Sequence, residues 1–269
     1  MDWLVCSKKY YGKLARHKDC KALSREPSKC RKMLSAKFRS KALTVLEIRD
    51  KYHECTSLYL AAQNGHINLV KLLVGAGADV ESENTLSRET PLGCAARNGH
   101  LEVVKFLVKE AGANIESNDD YEGGTPLSKA AANGDLEVVK FLVKEAGADV
   151  ESKESFYGWT PLGRAARNGH LEVVRLLVEE GHANVKWRDE WGHTPLSLAA
   201  EDGHLEVVKF LVQEAGADIE SKTVFGKTAL DLVRQAIQFG WPFGDREGRK
   251  AVEAWLEMRR SRIANPGLV

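Results

Sequence analysis

The sequence has no long hydrophobic run. No stretch approaches the roughly 18 apolar residues that a membrane-spanning helix requires, so no transmembrane segment is expected. The start, Met1-Asp2-Trp3-Leu4-Val5-Cys6-Ser7-Lys8-Lys9, has only a few apolar residues ahead of its lysines, and lacks the apolar core and cleavage site of a secretory leader. Cysteine is sparse: Cys6, Cys20, Cys30, Cys55 and Cys94 are odd in number and irregular in spacing, a poor disulfide framework. These absences predict an intracellular protein, cytoplasmic or nuclear. Catalytic signatures are missing too. There is no P-loop, nucleophile elbow or His-Glu-x-x-His, and Gly75-Ala76-Gly77 lacks the continuation of a nucleotide-binding loop. Neither an enzymatic role nor a cofactor is expected.

What the chain has instead is repetition. Ala95 to Val108 returns almost letter for letter from Ala165 to Val178, and related copies begin at Ala61, Ala130 and Ala199. Gly65, Gly99, Gly134, Gly169 and Gly203 follow one another at steps of 34 or 35 residues, a period that means stacked supersecondary units. Each unit opens with a helix start: Thr56-Ser57-Leu58, Thr90-Pro91-Leu92, Thr125-Pro126-Leu127, Thr160-Pro161-Leu162, Thr194-Pro195-Leu196 and a weaker Thr228-Ala229-Leu230. The threonine hydroxyl accepts from an orphan amide, and proline at the first helical position has no amide to lose. A glycine able to turn left-handed ends this helix. A second helix follows, with Glu102, Glu137, Glu172 or Glu206 in its first turn, where the helix dipole favours an anion. Leu101, Val103, Val104, Phe106, Leu107 and Val108 make it apolar over most of its circumference, as the inside of a stack requires. Gly77-Ala78-Asp79 and its relatives close each unit.

The net charge of +1 hides a division. Residues 1–55 carry 15 Lys/Arg against 6 Asp/Glu, and the remainder carries 24 against 32. The expected organisation is a loosely ordered basic segment over 1–23, a basic amphipathic helix capping the stack over 24–54, the repeat array over 55–240, and a capping helix and tail over 241–269. The N-terminal cap rests on Leu34, Phe38, Ala42, Val45, Ile48 and Tyr52 at helical spacing. The C-terminal one rests on Val252, Trp255, Leu256 and Met258.

Two sets of metal-ligand atoms carry little weight. His66, His100, His170 and His204 recur in equivalent slots, but stacked helices lie about 8 to 10 Å apart, too far for ligands that each sit near 2.1 Å from one zinc. They are expected to be structural, with Asp135 in the same slot acting as a helix N-cap. Cys6, His17, Cys20 and Cys30 match no paired Cys-x-x-Cys spacing, so no metal is assigned.

The series Thr-Pro-Leu, Ala-Ala, Asn-Gly-His, Val-Val-x-x-Leu, Gly-Ala-Asp, repeated in five successive units, resembles the ankyrin-repeat family over about Lys51 to Gly240. The resemblance implies an all-α solenoid of stacked helix-turn-helix units with β-hairpin or loop fingers, about five full repeats and divergent terminal caps. It also implies a non-catalytic scaffold or adaptor that binds a partner protein, and a monomer is expected. The family's usual histidine after Thr-Pro-Leu is replaced by Tyr59, Gly93, Ser128, Gly163, Ser197 and Asp231. Gly93 and Gly163, inside helices, are each expected to cost roughly 1 kcal/mol relative to alanine, which questions how tightly repeats two and four pack.

Two candidate surfaces follow from the resemblance. The finger tips before each Thr-Pro-Leu carry Tyr121, then Phe156, Tyr157 and Trp159, then Trp187, Trp191 and His193, then Phe225, a ridge of aromatics of the kind that forms binding hot spots. Replacing Trp159 and Trp191 by alanine is expected to weaken partner binding and leave thermal unfolding nearly unchanged. The plainer reading is that the rings pack on one another. The concave groove carries Arg97, Lys129, Arg164 and Arg167 in the middle, then Glu201 and Asp202, a basic centre with an acidic end, against which ordinary solvated charge is the plainer reading. One alternative is that the array is the recognition module of a larger multidomain assembly; the other places function in the basic segment 1–55. It offers charge for nucleic acid or an anionic membrane surface, and Lys29-Cys30-Arg31-Lys32 is a weak nuclear-targeting match.

Overall fold

Each threonine that opens a repeat caps a helix in the expected way. Thr56, Thr90, Thr125, Thr160, Thr194 and Thr228 are extended residues whose side chains accept from the amide three residues on. The computed structural model describes residues 55–119, 124–241 and 244–264. The basic segment 1–54, Tyr121 and the cysteines and histidine considered for a metal in it lie outside the described residues.

The inner helices that begin at these threonines are α1 (Ser57–Gln63), α3 (Pro91–Arg97), α5 (Pro126–Asn133), α7 (Pro161–Arg167), α9 (Pro195–Asp202) and α11 (Ala229–Phe239). The outer helices are α2 (Ile67–Gly75), α4 (Leu101–Lys109), α6 (Leu136–Phe141, continued by a π turn over Leu142–Ala146), α8 (Leu171–Glu179), α10 (Leu205–Gln213) and α12 (Arg246–Ala264). Inner helices pack against inner, outer against outer, and each pair against the next. One continuous core runs from Leu58 to Leu256 through the alanines of the inner helices and the Val-Val pairs of the outer ones. The architecture is therefore an all-α repeat stack, and α11 with α12 forms a divergent last unit. Val252 and Leu256 are buried there as expected, whereas Met258 is exposed.

Between units the chain forms fingers held by single backbone pairs, with no strand among the described residues. The Glu154 amide donates to the Trp159 carbonyl at 2.9 Å, the Asp189 amide to the His193 carbonyl at 3.0 Å, and the Thr223 amide to the Lys227 carbonyl at 2.9 Å. Neighbouring fingers are knitted by a repeated Glu-Ser pair. Glu81, Glu116 and Glu151 accept from the amides of Asn114, Asp149 and Asn184. Ser82, Ser117 and Ser152 meet the hydroxyls of Thr56, Thr90 and Thr125.

The recurrent histidines do not cap their helices. Neither they nor Asp135 makes a side-chain capping bond. They reach back instead. His100 Nε2 donates to the Gln63 carbonyl at 2.9 Å and His170 Nε2 to the Ala132 carbonyl at 3.0 Å. Burial lowers the pKa of His204, against the bond its ring makes to the Arg167 backbone. The left-handed glycine of the preceding unit makes room for each ring: a Cβ on Gly65 would lie 2.7 Å from His100 Nδ1. Glycine is thus required here twice over, by φ and by close approach.

Candidate aromatic cleft

The glycines inside α3 and α7 are where the groove departs from a bare repeat. A Cβ on Gly163 would sit 3.0 Å from Trp187 Cζ3, and one on Gly93 3.0 Å from Lys129 Nζ. Neither repeat is slack: each glycine leaves space that a side chain from the next unit fills. Trp187 stands where the other units have the serine of their Glu-Ser pair. The indole, only 5% exposed, lies in a small cluster with Trp159 and Leu198, its Nε1 without a hydrogen-bond partner among the described residues.

This corrects two of the finger-tip assignments. Trp159 is also only 5% exposed. Tyr157 stacks on it at 4.5 Å, the guanidiniums of Arg164 and Arg167 lie 4.7 and 4.8 Å from its ring centre, and its Nε1 donates to Asp189 Oδ2 at 3.1 Å. Such a ring is core, because every polar and apolar face it has is already engaged. Phe156 and Phe225 do stand out in solvent, at 65% and 72% exposure, while Tyr157, Trp191 and His193 are half-buried.

The groove charges are corrected in the same way. The basic centre is largely neutralised from within by acids placed at the base of the fingers. Glu89, buried, accepts from Tyr59 Oη at 2.6 Å and from Arg97 Nη2 at 2.8 Å, and pairs with Lys129 Nζ at 3.1 Å. Lys129, itself buried, also meets Asp119 at 2.7 Å. Burial pushes the Tyr59 hydroxyl far up and, with Glu89 adding to it, raises the Cys94 thiol to about 11. Glu154 binds Arg164 Nε and Ser128 Oγ, each at 2.6 Å. Asp202 pairs with Arg167 at 3.3 Å and lies 3.7 Å from Arg249 Nη2. Only the side chains of Arg97 and Arg167 keep a substantial solvent face.

One buried polar position at the base of each finger was not singled out from the sequence: Asn84, Asp119, Glu154 and Asp189 recur every 35 residues, with Thr223 closing the series. That spacing was readable beside the glycines, but the segments vary too much in between to draw attention. Asp189 organises its finger by accepting from the amides of Trp191 and His193 and from the His193 ring at 2.9 Å. Burial opposes its ionisation, yet these bonds hold its pKa below the ordinary carboxylate value.

The last three fingers and inner helices enclose an open cleft of about 450 Å³. Its finger wall is Tyr157, Trp159, Asp189, Trp191, His193 and Phe225; its helix wall is Arg167, Leu198, Glu201, Leu232 and Gln235; Trp241 closes one end and Lys227 stands at the rim. Of the candidates proposed from sequence, Tyr157, Trp159, Trp191, His193, Phe225, Arg167 and Glu201 converge here. Phe156, Trp187, Arg97, Lys129, Arg164 and Asp202 do not line it. Glu201 is 5% exposed, and among the described residues its carboxylate makes no hydrogen bond or ion pair within 4.0 Å; its backbone carbonyl accepts from Arg249 Nε at 2.7 Å. Burial raises its pKa.

No helix among the described residues is long and apolar enough to cross a membrane. The comparison with curated proteins returns no match. A family model described as Ankyrin repeats (3 copies) matches residues 58–154 and 146–223. Those matches span more than half of the sequence, and with capped helix pairs, left-handed glycines and a continuous core between them, the chain belongs to the ankyrin-repeat family.

Proposed function

We propose that this protein is a non-catalytic scaffold or adaptor that binds a partner protein through the aromatic cleft of its last three repeats. Ankyrin repeats are generally protein–protein interaction modules. The observation that supports the choice of surface is the partly exposed wall of Trp191, Phe225 and Trp241. These rings stay accessible beside a groove in which the charges of repeats two to four are paired internally. Rigid aromatic anchors beside a concave surface are the usual substance of binding hot spots. Their exposure costs the isolated molecule apolar area at about 25 cal/mol per Å², which a partner recovers by covering them.

Site-specific photo-crosslinking tests this. A benzophenone amino acid in place of Phe225, at the cleft mouth, is expected to give discrete crosslinked products in cells. The same group in place of Glu110, exposed at the end of outer helix α4, is expected to give none. Equal crosslinking from both positions would show that the cleft is not the contact surface.

A further inference from the structure

We infer that the cleft accepts an arginine side chain of the partner, its guanidinium paired with Glu201 and stacked among the rings of Trp191 and Phe225. This deepens the proposal above and rests on it. The argument comes from register. Four residues after the opening threonine, repeats three and four carry a cation that turns to a finger acid: Lys129 meets Glu89 and Asp119, and Arg164 meets Glu154. In repeat five the same position is Leu198. Seven residues after the threonine, Arg97 pairs with Glu89 and Arg167 with Asp202, but the fifth repeat has Glu201 there instead. The cation is missing, and an acid stands in its register position.

Glu201 is therefore a buried carboxylate that faces the cleft with no donor of its own. A nearly buried carboxylate without a bonded partner is costly; His193, Arg167 and Arg249 act on it through space without bonding it, so the direct pair is left for a cation from outside. The other charges in the cleft do not fill this role. Arg167 is paired with Asp202 and stacked on Trp159, the ring of His193 is bonded to Asp189, and Lys227 is exposed at the rim with its charge acting on Asp231. Trp191 meets the rings of Tyr157 and His193 only at a tilt, with centroids 5.8 and 6.4 Å away, and among the described residues neither it nor Phe225 carries a cation on its face. Arginine suits this pairing of faces and carboxylate because its planar fork both stacks on an aromatic surface and gives two parallel donors to a carboxylate. The chain already contains this arrangement once, where Arg164 lies on Trp159 and donates to Glu154 at 2.6 Å.

The test uses the full chain labelled with 5-fluorotryptophan, followed by fluorine NMR during titration with N-acetyl-arginine amide. The resonances of Trp191 and Trp241, assigned by substitution, are expected to shift in a saturable way. N-acetyl-citrulline amide, of the same shape without the charge, is expected to bind at least tenfold more weakly. Glu201→Gln is expected to lower arginine affinity at least tenfold, with the buried Trp159 and Trp187 resonances in place as proof of folding. Leu198→Arg, which restores the missing cation within the chain, is expected to abolish the response. Equal binding of citrulline, an unaffected Glu201→Gln variant, or tighter binding of N-acetyl-trimethyl-lysine amide would overturn the proposal. If crosslinking at Phe225 persists while arginine fails, the cleft remains the contact surface and only its ligand chemistry is wrong. Loss of both disproves both.

Discussion

At the scale of single residues, two tryptophans of one finger separate core from surface. Trp187 fills the space left by Gly163, whereas Trp191 lines an open cleft. Trp187→Ala is expected to cost about 3 to 5 kcal/mol, the range for deleting a buried aromatic, and Trp191→Ala less than about 1 kcal/mol, both measured by urea denaturation. Comparable losses from the two would mean that the cleft is packed shut in solution. Because Trp159 is buried too, the pairing of Trp159→Ala with Trp191→Ala tests stability and binding together and cannot isolate either. Glu201 gives a second residue-level expectation. Its folded pKa is raised, above the ordinary 4.5, first by burial and then by Asp202, against His193, Arg167 and Arg249. A group so shifted contributes stability that is complete below 4.5 and is lost as pH rises through its folded pKa. Glu201→Gln is therefore expected to be more stable than the natural protein at neutral pH, with the difference shrinking to nothing by about pH 4. Thermal melts of both proteins across that range check it, and a variant less stable at pH 7 would contradict an unpartnered carboxylate.

At the scale of elements, the last helix is held by more than its apolar stripe. Arg249 of α12 is buried, donating from Nε to the Glu201 carbonyl and from Nη1 to the Trp241 carbonyl at 3.1 Å, with Asp202 nearby. It takes the acceptor at the C-terminal end of α9 that a histidine of the following unit takes at Gln63 and Ala132. Arg249→Ala leaves those two carbonyls without their donor and removes one of the two cations beside Asp202, and is expected to cost about 3 kcal/mol. The loss should appear in hydrogen exchange as early opening of α11 and α12. Unchanged protection there would reduce the arginine to a surface ornament of the cap. The elements themselves were largely legible in the sequence, because caps, turns and dipole-favoured acids act over three or four residues. What Thr160, Pro161 and Gly169 dictate does not depend on distant chain. The interiors of the fingers were not legible in that way. Whether Trp187 is a tip or a core ring depends on Gly163, 24 residues away, and whether Lys129 is free depends on Glu89, 40 residues away. The two helix-interior glycines marked both vacancies, but were legible only as a loss of helix propensity.

At the scale of the whole molecule, the groove is a series of internal neutralisations that stops one repeat short of the cap. The cleft lies where that series fails, which is why repeat-to-repeat differences rather than the repeat itself point to it. The same stack also has a direction. Gly65, Gly134 and Gly169 each seat the histidine of the following unit, and Gly99 seats Asp135. Gly203 seats no side chain: the backbone of the turn into α12 presses on it, with the Asp245 carbonyl 2.6 Å and the Arg249 amide 2.7 Å from where a Cβ would stand. Duplicating any unit ahead of Gly203 therefore carries along both halves of the joint, the socket and the peg. A unit appended after it meets a socket already plugged. Such a molecule lengthens by copying from its middle, and its end is fixed by the plug rather than by the number of copies that precede it.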